Sequence, residues 1–233
     1  MSRRGGARAP RGQRGLSLVE LMIALVLGLV VVAAVFNVYA GTSKSQRFTR
    51  GLMSLQENGR FGLSTLQRGL RLAGFSEALD FEPLDLDASG DDRIVVRAER
   101  PFDCNGGDTS IVAGVAENTY RHVGGVDGTI TCAGNVNAAE SVLVENVDAF
   151  RVLYGLDTDA DGAPNRFVDH DDAEVAGVDE VVALRFALLI NSGDAPVRSR
   201  ARAEDHVVLD RVVARDDRRL REVFSTTVKL RNR

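Results

Sequence analysis

An unbroken apolar run from residue 16 to residue 40 holds a single ionisable side chain, Glu20, directly behind a leader carrying Arg3, Arg4, Arg8, Arg11 and Arg14. About 20 apolar residues suffice to cross a bilayer as a helix, so the run reads as a membrane segment. A carboxylate inside such a helix costs several kcal/mol unless it finds a partner, which marks Glu20 as a functional residue. The five leader arginines are accompanied by no acid, so the positive-inside rule keeps the leader cytoplasmic and exports everything after Ala40 across the inner membrane. An ordinary secretory signal has a shorter apolar region followed by a small-residue cleavage site. A plain anchor satisfies the length but gives no reason for Glu20 or for Gly15 immediately ahead of the run.

The segment Arg14-Gly15-Leu16-Ser17-Leu18-Val19-Glu20 resembles the class III signal of type IV pilin-like proteins. The resemblance implies cleavage by a prepilin peptidase after Gly15, N-methylation of the new amino terminus at Leu16, and pairing of Glu20 with the amino terminus of a neighbouring subunit. Cleavage there would put Glu20 about one helical turn from the Leu16 ammonium. Residues 1–15 are then a leader, 16–74 a helix with 16–40 in the membrane, and 75–233 an exported head.

Losing that leader takes the basic residues from 29 to 24 against 33 acidic ones, and the formal charge from −4 to about −9. Such a body lacks the clustered Lys and Arg needed to neutralise phosphates, which argues against nucleic acid as a partner. Cys104 and Cys132, 28 positions apart, fit neither a redox CxxC nor a four-ligand zinc pattern. In an oxidising periplasm they read as one disulfide, the alternative being two unpaired buried thiols.

Beyond the membrane run, Phe48, Leu52, Leu55, Gly59, Leu63, Leu66, Leu70 and Ala73 recur at steps of three and four, the stripe of an amphipathic helix with one face to bury. Gly41, Gly51, Gly59, Gly62 and Gly69 weaken helix propensity and make kinks or local melting an expectation, while Gly74 reads as the stop. In the same stretch, Leu55-Gln56-Glu57-Asn58-Gly59-Arg60-Phe61-Gly62, continuing to Leu70-Arg71-Leu72-Ala73-Gly74-Phe75, is similar to the signature of PilW-type minor pilins. The family prefers alanine where Gly62 stands.

From Phe75 onward the pattern changes to strands and loops. Residues 93–98, 110–116, 119–123, 129–133 and 141–144 are candidate strands, 147–154 alternates as a half-buried strand, and 181–190 is continuously apolar like a central one. Phe224, Thr226, Val228 and Leu230 alternate with polar residues in a closing strand. Its Leu-Arg-Asn ending, at Leu230, Arg231 and Asn232, also resembles the PilW-type family. An antiparallel sheet packed on the second half of the helix gives an α+β fold, the ladle of pilin-like proteins. A fragment beginning near Phe75 should expose apolar surface and aggregate, because the stripe belongs to its core.

One constellation suggests a ligand. Asp157-Thr158-Asp159-Ala160-Asp161-Gly162 has the spacing in which alternate carboxylates converge on calcium and glycine permits the sharp turn. Asn165 stands at the ninth loop position, but the twelfth is Val168, so the further carboxylate must come from Asp169, Asp171 or Asp172. A solvated acidic turn is the plainer explanation of the same residues. No hydrolase elbow, zinc-protease motif or phosphate loop is present, and His122, His170 and His206 lack a signature partner. His170, lying among acids, reads as solvated. The sequence thus points to an assembly role rather than an enzyme.

By resemblance, the partners are prepilin peptidase, other minor pilins, the major pilin and a large tip adhesin. A minor pseudopilin of type II secretion shares the same anchor and a similar head. A membrane-anchored periplasmic calcium-binding domain is the more distant alternative.

Overall fold

The apolar periodicity of the N-terminal third becomes one continuous helix, α1, over Leu18–Leu70. In the computed structural model, residue 15 and residues 17–77, 79–193, 197–198 and 200–232 are described. Contacts divide the chain into two compact units, residues 1–46 and 47–233. In the first unit the helix carries no tertiary core: every described residue from 17 to 42 is exposed. A helix satisfies its own backbone, which is what a chain segment in hydrocarbon requires.

In the second unit the helix buries Gly51, Leu55, Gly59, Gly62, Leu66 and Leu70. The helix assignment is unbroken through Gly41, Gly51, Gly59, Gly62 and Gly69, and several of these glycines have a use of their own. A methyl group at Gly62 would come within 2.8 Å of Leu188, one at Gly59 would enter the ring of Phe224, and one at Gly69 would meet the hydroxyl of Tyr120. These positions let the helix backbone approach the sheet closely, and that contact offsets their low propensity. The stripe read from the sequence is partly right: Leu55, Leu66, Leu70 and Ala73 are buried, whereas Phe48 and Leu52 are exposed. The helix ends at Leu70 and the chain turns through residues 71–74; Gly74, expected as the stop, takes a φ of +74° and donates its backbone N–H to Arg97 O at 2.8 Å.

Among the described residues nine strands follow: β1 (Arg93–Glu99), β2 (Val115–Val123), β3 (Gly128–Gly134), β4 (Ser141–Leu156), β5 (Arg166–Val168), β6 (Val181–Asn191), β7 (Arg202–Val208), β8 (Arg211–Asp217) and β9 (Arg221–Lys229). A short helix, α2 (His170–Ala176), lies between β5 and β6. The main sheet is antiparallel in the order β1-β2-β3-β4-β6-β9, with β5 paired to one end of β4, and β7 and β8 form a separate hairpin. Its face toward the helix is apolar, with Phe150, Val152, Tyr154, Leu184, Phe186 and Leu188 joining Leu55, Leu66 and Leu70 in one core. Its other face has only a small cluster of Ala187, Leu189 and Val208.

Several expectations shift in detail. The segment expected as a strand over 110–116 begins instead as a 3-10 turn, Thr109–Val112, capped by the Asp108 side chain. The two strands expected at 141–144 and 147–154 are one strand, β4. Its register slips between Ile130 and Gly128 on one partner, and between Val147 and Ala149 where it pairs with β6. Each extra residue in a bulge reverses the alternation. Val144, Val147 and Phe150, spaced by three, therefore all reach the same core. That spacing reads as a break when strict period two is expected. The hairpin β7–β8 is absent from the expected strands because its exposed residues, such as Val207 and Val212, give it no clean apolar face.

Candidate functional site

The site with the strongest sequence signal lies at the N-terminus. Gly15 is described and exposed, and Glu20 stands in the first turn of α1, exposed. Leu16 lies outside the described residues. Leu21 donates to Ser17 O at 3.1 Å, so the helical ladder already runs through this turn. From here onward Leu18, Leu21, Leu25, Val32, Phe36 and Tyr39 are each more than half exposed. The helix is apolar and long enough to cross a membrane. So large an apolar surface requires an outside cover, either lipid or other subunits. Among the described residues Glu20 has no ionic partner.

Cys104 and Cys132 form a disulfide, which ties the loop after β1 to the middle of β3. Asp103 anchors the same loop. Its carboxylate accepts backbone N–H bonds from Asn137 (2.7 Å), Gly107 (2.7 Å), Asn105 (2.9 Å) and Val136 (3.1 Å). Burial acts to raise its pKa, but these four donors outweigh burial and hold it below the ordinary value.

The acidic loop after β4 does converge. Ligand oxygens of Asp157, Asp159 and Asp161 can lie within 4.8 Å of one another. Asp157 is buried and accepts from Gly162 N at 2.8 Å and Asp161 N at 3.2 Å. Asn165 points its side-chain oxygen inward to Thr158 N at 2.7 Å, closing the loop. Asp169 instead caps α2, accepting from Asp172 N at 3.1 Å, and it is not among the converging carboxylates. Three carboxylate oxygens form a donor set suited to a hard cation.

Two of the histidines are held against backbone carbonyls. His170, expected to be solvated, is instead half-buried: its Nε2 lies 2.7 Å from Leu86 O and its ring meets Tyr154 edge-on. The carbonyl and the aromatic ring take it out of water. His122 Nε2 lies 2.9 Å from Val147 O.

An ionic network on the sheet face away from the helix was not foreseen from the sequence. Asp148, the bulge residue of β4, has a fully buried side chain. It accepts from Arg221 Nε at 2.5 Å, from Asn191 Nδ2 at 2.7 Å and from Asp127 N at 3.1 Å. Arg221 also makes a bidentate pair with Asp217 of β8 at 2.7 and 2.6 Å. That pairing holds the Asp217 carboxyl down at about 2. Arg151 of β4, similarly buried, grips Asp210 in the β7–β8 turn at 2.7 and 2.5 Å and pairs with Asp91. The signal available in the sequence was an acid and an arginine, Asp148 and Arg151, inside the otherwise apolar stretch 147–156.

A long, exposed N-terminal apolar helix continuing into an antiparallel sheet defines an α+β protein of pilin type. A family model for type IV pilus-assembly protein W matches residues 115–232, about half of the chain, and one for the prokaryotic N-terminal methylation motif matches residues 10–36. The chain belongs to the type IV pilus-assembly protein W family. No curated protein and no solved structure matches it.

Proposed function

We propose that the protein is a minor type IV pilin, cut by prepilin peptidase after Gly15, N-methylated at Leu16 and recruited through Glu20 into the initiating or tip complex of a pilus. The observation that carries this is the coincidence, on one chain, of the methylation motif, a helix whose apolar residues are uncovered, and a head of the pilus-assembly family. In this reading residues 1–15 are the leader, 16–74 the helix with 16–40 in the inner membrane, and 75–233 the periplasmic head. Storage in the bilayer precedes assembly. Within a low-dielectric bundle, the Glu20 carboxylate and a neighbour's Leu16 ammonium attract far more strongly than in water, so pairing sets the register of one helix against the next. The work of the molecule is packing, not chemistry, and its partners are the peptidase, other minor pilins, the major pilin and a tip adhesin. The pilus-assembly match favours a pilus over a type II secretion filament.

N-terminal peptide mass spectrometry with and without active peptidase tests the reading. A peptide starting at N-methylated Leu16 is expected only when the peptidase is present, and Glu20→Ala should be cut normally but be depleted from sheared filaments. An uncut chain in both strains, or normal incorporation of the variant, would overturn it.

The Asp157, Asp159 and Asp161 loop is proposed to hold calcium, with Asn165 closing the loop. Millimolar calcium should raise the thermal midpoint of the detergent-solubilised chain, and Asp159→Ala should abolish the increase. An equal increase in the variant would remove calcium from the account.

A further inference from the structure

The outward face of α1 in the second unit is unlike the rest of that unit. Between residues 47 and 71 the chain has five arginines and one acid, Glu57, whereas residues 72–233 carry 18 basic and 31 acidic residues. Arg50, Met53, Arg60, Phe61, Arg68 and Arg71 follow one another at helical steps on the side opposite the buried stripe, and all are exposed. Met53 and Phe61 are each more than half exposed. Among the described residues none of the five helix arginines forms an ion pair or a side-chain hydrogen bond, whereas head arginines such as Arg97, Arg151, Arg211 and Arg221 are paired. Like charges at i, i+3, as at 47 with 50 and 68 with 71, also work against the helix.

We propose that this face is a docking surface for the acidic head of another filament subunit. The charge imbalance is complementary within the chain itself: a basic helix face on a subunit whose own head is strongly acidic, so a head of the same charge character fits that face. Two exposed apolar side chains, Met53 and Phe61, flank Glu57 inside a cationic rim, an apolar centre with a charged margin of the kind found in protein interfaces, and the net opposite charges set orientation and encounter rate. A membrane surface is a poorer occupant, because helices that adsorb to lipid bring a broad apolar face and here that face is already buried against the sheet. The inference rests on the filament reading and goes beyond pilin membership, in that it selects a neighbour by the charge of its head.

The test places a photo-crosslinking amino acid at Ser64, on this face, in the full chain expressed with its filament partners. Adducts are expected on an acid-rich segment of a subunit that itself carries the methylation motif, with several-fold lower yield in Arg60→Glu/Arg68→Glu and at high salt. Neither arginine is paired with the head, so the double variant should keep its disulfide and thermal midpoint. Adducts to phospholipid alone, adducts on a segment without excess acid, or a yield unmoved by charge reversal would each overturn the proposal. If the wild-type chain never enters filaments, the filament reading fails separately, while the adduct's chemistry still decides the docking surface.

Discussion

The two faces of the main sheet are held down by different forces. Toward α1, Phe186, Leu188, Tyr154 and their neighbours meet Leu55, Leu66 and Leu70 in a continuous core, where burial is non-directional and scales with area. Toward the β7–β8 hairpin, three fully buried apolar residues are supplemented by arginine–aspartate pairs centred on Asp148 and Arg151. An apolar face tolerates changes of pH and salt. An ionic one depends on every partner being present, since removing one leaves the other charge buried and alone.

The largest expected break is on the helix side. Phe186→Ala removes a fully buried ring that also meets Phe150 edge-on, and should cost roughly 3–5 kcal/mol, read as a fall in thermal midpoint of the whole second unit. On the other side, Arg221→Ala strands the buried Asp148 carboxylate with only Arg215, Asn191 and Asp127 N nearby, and should cost about 3 kcal/mol. Its loss should appear first as faster amide exchange in residues 202–217. Equal loosening of α1 and the hairpin would erase the contrast.

The smallest effect comes from pH. Asp217 has a folded pKa of about 2, below its ordinary 3.8, because Arg221 donates to it. A depressed carboxylate contributes stability that is fully present above the unfolded value and lost as pH falls through the folded one. Hairpin amides, corrected for the intrinsic pH dependence of exchange, should therefore lose protection between about pH 4 and pH 2, with little change in the helix-facing core. Asp217 is about one-third exposed, so solvent screening keeps the effect modest. Protection that is flat across this window would show that the pair contributes little.

How much of this could be read from residues alone differs along the chain. The methylation-type signal at Gly15 and Glu20, the membrane run, the central strand near 181–190 and the closing strand near 221–229 were legible because each is a local pattern. The three loop aspartates were legible as a spacing, and the fold brings them together. The continuity of β4 was not, because two bulges hide one strand behind two phases. The role of the glycines in α1 was misread as weakness, since propensity describes an isolated helix and says nothing of the Phe224 ring waiting at Gly59.

The family was recognised in the sequence partly from the 55–75 segment, which lies outside the matched region, and partly from the C-terminal strand, which lies inside it. What the sequence determined by itself is the long apolar helix, the methylation motif, the fold class and the pairing of its two cysteines, all of which follow from short-range pattern or from having one possible partner. The tertiary structure decided which glycines are contacts, where Asp148 and Arg151 find their partners, and which arginines are left facing outward. Those outcomes depend on residues far apart in the chain meeting in the fold, such as Gly59 with Phe224, Arg151 with Asp210 and Asp148 with Arg221, and no local pattern encodes such meetings.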